Sequence, residues 1–91
     1  MAKQNTRSSI IMYTVYLIQS ITSPDRKYVG YTADLSKRLS EHNSNKVNTT
    51  KNRGPWEIKV AVNFSDEDKA KAFELYLKHG SGHAFAKKHF W

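Results

Sequence analysis

Tyr28, Arg38 and His42 fall within one stretch, residues 26–43, which reads R-K-Y-V-G-Y-T-A-D-L-S-K-R-L-S-E-H-N. Arg38 and His42 are four residues apart, so on a helix they share a face. A phenol, a guanidinium and an imidazole held together suit acid–base and phosphate chemistry. Arginine binds phosphate oxygens through two parallel N–H groups. Histidine or tyrosine can position or deprotonate a water.

The elements around these residues must bring them together. Lys27–Thr32 has the composition of a strand, and Asp34 is a good N-cap for a helix from Leu35 to about Asn43. Leu35 and Leu39 mark its core stripe. Arg38 and His42 border that stripe and are expected at a cleft edge. Upstream, residues 10–18 (I-I-M-Y-T-V-Y-L-I) are β-branched and aromatic, and apolar on both faces. That suits a central strand covered on both sides. Its Tyr16 would share a sheet face with Tyr28 if the two stand opposite each other in a hairpin. Gly30 leaves room beside them for close approach. Residues 1–9 are polar and are expected to form a flexible N-terminal segment, with residues 10–91 as one domain.

Downstream, residues 43–55 are polar and basic and read as a long exposed loop. Trp56–Phe64 alternates, with Trp56, Ile58, Val60, Val62 and Phe64 on one inward face. Ser65 with Asp68 resembles a capping box for a helix over residues 66–79, which Gly80 would stop. Ser81 would cap a last short helix through His89. The element order is therefore β-β-α-β-α-α.

The helix over residues 66–79 carries Ala70, Phe73 and Leu77 on its apolar stripe. Glu74 stands where a fourth apolar residue belongs. A carboxylate there needs a cation, because glutamate is almost never buried unpaired. An ion pair with Arg38 or a lysine is one solution. A Mg²⁺ ion is the other, since it takes one or two carboxylates and completes its shell with waters and phosphate oxygens. Tyr16, Tyr28, Arg38, His42 and Glu74 together would equip a site for phosphodiester hydrolysis.

Bulk composition points the same way. The 91 residues include 15 Lys and Arg against 8 Asp and Glu, a net charge of +7 with an isoelectric point near 9.8. Such an excess favours a polyanionic partner. There is no cysteine, which excludes a disulfide scaffold or a zinc–thiolate centre and fits a reducing, cytoplasmic setting. No stretch approaches the roughly 20 apolar residues of a membrane span. Residues 10–18 faintly resemble a signal segment, but they run straight into further β-like sequence without a cleavage site.

These residues resemble the GIY-YIG nucleases. Thr14-Val15-Tyr16 and Tyr28-Val29-Gly30 stand at the two triplets, Arg38 and His42 in the segment with the family's arginine and histidine, and Glu74 at its metal-binding glutamate. The resemblance runs from about Met12 to Phe90 and is closest to small, stand-alone bacterial members, through residues 42–51 and 53–56. It implies an α+β, sandwich-like fold: a three-stranded antiparallel sheet flanked by helices. It also implies a DNA endonuclease using one Mg²⁺ or Mn²⁺ ion per site and leaving 5′-phosphate and 3′-hydroxyl ends. By that likeness Tyr16 or Tyr28 activates water, His42 assists the proton, Arg38 stabilises the phosphoryl charge and Glu74 holds the metal. The sequence departs at Thr14, which replaces a glycine, at Val15 and Val29, which replace isoleucines, and near Asn45, where a glycine is often found.

Lys46, Thr50, Lys51, Arg53 and Lys87 are candidate nucleic-acid contacts. A small domain with no added recognition module is expected to be structure-selective or to act on single strands, in repair, recombination or DNA processing, as a monomer or weak dimer. The competing reading is a nucleic-acid-binding module whose chemistry is lost or needs a partner. A purely structural basic domain is a third.

Overall fold

The structure is a computed structural model that describes residues 11–91. The segment 1–9 and the first residue of the predicted opening strand lie outside the described residues. The strands are β1 (Tyr13–Ser20), β2 (Lys27–Thr32) and β3 (Trp56–Phe64). The helices are α1 (Leu35–Asn43), α2 (Glu67–Lys78) and α3 (Gly80–His89). The order β-β-α-β-α-α is the one read from the sequence.

β1 lies between β2 and β3 and pairs antiparallel with both. Its double-sided apolar pattern has the expected cause, since each face is covered. On one face Val15 and Leu17 pack with Ala70 and Leu77 of α2 and Ala86 of α3. On the other, Tyr16 and Ile18 pack with Trp56, Tyr28, and Leu35 and Leu39 of α1. Val15, Leu17 and Ile18 are fully buried. Each such side chain contributes roughly 1.5–3 kcal/mol. The result is an α+β sandwich, with α1 on one side of the sheet and the α2–α3 pair on the other.

β3 departs from the simple alternation. Leu17 pairs with Val60, but the next residue, Ile18, pairs with Ile58. Lys59 is therefore an extra residue, a bulge that switches the strand's faces. Trp56 turns to the α1 side, while Val60 and Phe64 turn to the α2–α3 side. Ile58, expected inward, is 38% exposed.

The Asp34 carboxylate accepts the Lys37 N–H at 3.1 Å, as an N-cap should. At α2 the cap is Asp66 rather than a Ser65–Asp68 box, and its carboxylate accepts the N–H groups of Asp68 and Lys69. Gly80 follows the C-cap of α2 with φ +53° but is itself the first residue of α3, which lacks a side-chain cap and does not use Ser81 for one. No described helix is long and apolar enough to cross a membrane.

α3 turns back onto α2 at Gly82. A Cβ there would overlap the Tyr76 carbonyl. Gly82→Ala must push the two helices apart, and overpacking of this kind costs about 1–3 kcal/mol. Urea denaturation should show that loss. An unchanged midpoint would mean that the α2–α3 contact is not tight.

Candidate active site

The two phenols meet because of strand register. Tyr16 pairs with Gly30, and Tyr28 pairs with Ile18. A shared face was expected from the sequence if Tyr16 stood opposite Tyr28. The actual register differs by two residues, which leaves both phenols on the α1 face because side chains alternate with a period of two. Their ring centroids are 6.2 Å apart. Gly30 has a specific task in this pairing. A Cβ built there would lie 2.6 Å from Tyr16 Oη and 2.9 Å from Tyr28 Cε2. The space left by the glycine is filled by the tyrosines themselves.

α1 brings His42 onto the same phenols. The sequence placed His42 at a cleft edge, but it is 1% exposed. Its Nε2 lies 2.8 Å from Tyr16 Oη, and its Nδ1 lies 2.7 Å from Thr50 Oγ1. The Thr50 hydroxyl donates onward to the Val47 carbonyl at 3.4 Å. The arrangement that satisfies every donor is then a chain: Tyr16 O–H donates to Nε2, and Nδ1–H donates to Thr50. The Tyr28 ring packs on the imidazole with centroids 5.0 Å apart.

Burial and the neighbouring Arg38 charge set the protonation states. Burial pushes the Tyr16 phenol up to about 12, against the opposing pull of the Arg38 guanidinium. Burial also lowers the affinity of His42 for a second proton, and the nearby Arg38 charge lowers it further. At neutral pH the pair is thus a phenol hydrogen-bonded to a neutral imidazole, with the proton held on the oxygen.

Arg38 borders the same site. Its Nη1 donates to Glu41 Oε1 at 3.0 Å, which steadies the guanidinium from one turn away. The Tyr16 phenol first, and Glu41 second, strengthen its hold on its proton. Glu74 approaches from α2, and its carboxylate is near enough to add to the upward shift of Tyr16. The cation that meets it is Lys78, whose Nζ donates to Glu74 Oε2 at 2.9 Å. Lys78 Nζ also stands 5.8 Å from the centre of the Tyr28 ring, which links α2 to the second phenol. Tyr16, Tyr28 and His42 are therefore in mutual contact, Arg38 stands one turn before His42 on the same helix, and Glu74 is linked to the Tyr28 ring through Lys78. The described residues hold no group of three or more His, Asp or Glu that could cage a metal. Glu74, 20% exposed, is a lone carboxylate. That donor set fits Mg²⁺ or Mn²⁺, which keep waters and take phosphate oxygens, and does not fit zinc.

The proposed nucleic-acid contacts separate. Lys46, Lys51, Arg53 and Lys87 are exposed. Thr50 is buried and bonds His42, so it orients the imidazole and cannot reach a phosphate backbone. Sequence reasoning missed that role, because the loop's polar composition hides two anchors, Val47 and Thr50. Asn43 completes the anchoring: its Oδ1 accepts the Trp56 N–H at 2.7 Å. The two partners Glu41 and Lys78 did leave a signal, since they stand three and four residues from Arg38 and Glu74. Asn45 has φ +62°, a left-handed conformation open to glycine and, among other residues, chiefly to asparagine and aspartate. That explains how asparagine stands near a position where the similar nucleases often carry glycine.

The family model of the GIY-YIG catalytic domain matches residues 12–88. The chain belongs to the GIY-YIG family. This GIY-YIG domain is 40% identical over 68 residues to the UPF0213 protein YsiG of Lactococcus lactis, a match covering 74% of this chain and 64% of that one. It is 38% identical over 74 residues to the structure-specific endonuclease subunit SLX1 of Debaryomyces hansenii, covering 74% of this chain and 21% of the relative. The chain thus spans less than two thirds of the length of these curated relatives. The solution structure of the UPF0213 protein BH0048 from Bacillus halodurans superposes with a TM-score of 0.51 at 27% identity, covering 85% of this chain and 81% of that one.

Two outcomes follow from the hydrogen-bond chain. Thr50→Val removes the acceptor for His42 Nδ1–H and should cost about 1–3 kcal/mol in chemical denaturation. Histidine ¹⁵N spectra should lose the Nδ1–H tautomer signature of His42. A stable variant with an unchanged tautomer would contradict the chain. Stability should also fall at both pH extremes. Below pH 6.5 the unfolded histidine takes a proton that the folded one resists. Between pH 10 and about 12 the unfolded tyrosine loses a proton that folded Tyr16 keeps. Tyr16→Phe should flatten the alkaline arm specifically.

Proposed function

We propose that this domain hydrolyses DNA phosphodiester bonds, leaving 5′-phosphate and 3′-hydroxyl ends, as a structure-selective endonuclease. The observation that carries this reading is the buried Tyr16–His42 bond, packed against Tyr28 and within the influence of the Arg38 guanidinium. A bound Mg²⁺ or Mn²⁺ would supply charge neutralisation and polarise the phosphoryl group. Glu74 would hold it, which requires Lys78 to release the carboxylate.

The protein's own residues would do the rest. Tyr16 takes a proton from the attacking water while passing its own to His42 Nε2. Thr50 holds the imidazole so that Nε2 faces the phenol. The Tyr28 ring walls the site beside His42. Arg38 sits where negative charge accumulates on the phosphorus oxygens, and a preset donor there lowers the barrier without reorganisation. Structure selectivity is suggested by the similar SLX1 subunits, described as structure-specific endonucleases. With one set of these residues per chain, each subunit of a monomer or weak dimer cuts one strand per event, in cytoplasmic DNA repair, recombination or processing.

A second reading has one observation in its favour. The Lys78–Glu74 pair already neutralises the carboxylate, as in a nucleic-acid-binding module without turnover. Cleavage assays separate the two. Pure protein with Mg²⁺ or Mn²⁺ should cut at least one of single-stranded, duplex, flapped and branched DNA. Glu74→Gln should abolish cleavage while leaving the circular-dichroism spectrum unchanged. Arg38→Ala should lower kcat about 10²–10³-fold, the usual loss for a transition-state donor. Salt-sensitive binding without any metal-dependent cutting would favour the binding module.

A further inference from the structure

Lys78 is tied to the site at two points. Its Nζ donates to Glu74 Oε2 at 2.9 Å, one turn back on α2, and stands 5.8 Å from the centre of the Tyr28 ring. Both contacts depend on its charge: one is an ion pair along a helix, the other an attraction to an aromatic face. The side chains of Lys78 and Glu74 are 37% and 20% exposed, so the pair lies at a rim that solutes reach. An ion pair this open to water is weak enough to be exchanged.

The surroundings decide what can exchange it. Lys78 lines a concavity together with Lys27 and Lys87, and no carboxylate lines it. Among the described residues the other ion pairs join Arg38 to Glu41 and Lys59 to Glu57, so Lys27 and Lys87 are not neutralised by either. Glu74 thus meets, through Lys78, a wall of three ammonium groups. A divalent cation coming from solvent is opposed by that positive potential and must also evict the lysine. A phosphodiester chain removes both obstacles. It neutralises the wall, and it offers the Lys78 ammonium a phosphate in place of a carboxylate. Such a ligand favours the released lysine because it binds that state better, which is the only way a ligand shifts an equilibrium.

We propose that Lys78 is a positioning residue that makes metal loading depend on substrate: its ammonium occupies the Glu74 carboxylate until a DNA phosphate draws it away, and the carboxylate then opens to a divalent cation. The assignment rests on the nuclease reading and gives the regulation of its site. Metal and DNA bind cooperatively, and each tightens the other by the same factor. Phosphate oxygens that join the metal's shell add coupling of their own. The share owed to Lys78 is the share that its substitution removes.

The test is Mn²⁺ uptake by the whole chain, read from loss of the free-ion EPR signal. It is measured alone and with a flapped duplex whose phosphorothioate linkages resist hydrolysis, after subtracting uptake by the duplex itself. In the unsubstituted protein the duplex should tighten Mn²⁺ binding about 5- to 150-fold, the usual range of coupling between sites. Lys78→Gln should bind Mn²⁺ more tightly without DNA and gain much less when DNA is added. Lys69→Gln removes an equal charge from an exposed lysine elsewhere on α2 and should behave as the unsubstituted protein does. The proposal is overturned if Lys78→Gln binds Mn²⁺ no more tightly than the unsubstituted protein, or if its gain from DNA is undiminished. Glu74→Gln distinguishes that failure from failure of the nuclease reading. Uptake that is lost in Glu74→Gln but indifferent to Lys78 sinks this proposal alone, whereas uptake that ignores Glu74 sinks the reading and the proposal together.

Discussion

The hydrogen bond from Tyr16 to His42 Nε2, 2.8 Å long and buried between sheet and helix, is the constraint on which the rest depends. A buried hydroxyl or imidazole without a partner costs about 1–3 kcal/mol, so each group requires the other. That requirement fixes how α1 lies on the sheet. It also demands Gly30 in the neighbouring strand, because any Cβ there would strike the phenol. The second tyrosine packs against the first, and the shared space explains why the Tyr28–Gly30 triplet must lie directly beside Tyr16.

His42 in turn requires an acceptor on its far side, and the loop after α1 exists in its present form to provide one. Thr50 reaches the imidazole only because Val47 and Thr50 are pulled inward while Asn45 and Asn52 take left-handed backbone conformations. The Asn45 Oδ1 accepts the Asn52 N–H at 2.9 Å and ties the two turns together. A loop that looks like a solvated connector is thus the outer wall of the site. Its lysines and Arg53 remain exposed, where they add to the domain's positive field.

The local signals were legible in the sequence, and the long-range ones were not. α1 runs over Leu35–Asn43 as the Asp34 cap and the leucine spacing indicate. Glu74 stood out because one polar residue interrupts an apolar stripe, and the cation the stripe called for is Lys78. Register was less accessible: a hairpin offset of two preserves every face, so nothing in the pattern reports it. The β3 bulge was invisible for a related reason. Lys59 sits in phase with the alternation of charged residues, yet the strand changes face there. Thr50 could not be found from composition, since its partner lies eight residues back on a helix and the contact forms only when the loop folds over.

In the proposed function Glu74 is the joint between the resting protein and its chemistry. In the present structure Lys78 pairs with its carboxylate, and a metal ion held there would have to displace the lysine. The most direct measurement is a crystal structure with Mn²⁺ and an uncleavable DNA carrying a single-stranded arm, read by anomalous scattering. The account predicts one manganese peak at Glu74, Lys78 turned away from it, and a phosphate between Arg38 and the Tyr16–His42 pair. A Lys78–Glu74 ion pair that persists with no manganese beside it, or a phosphate remote from Tyr16, would contradict it.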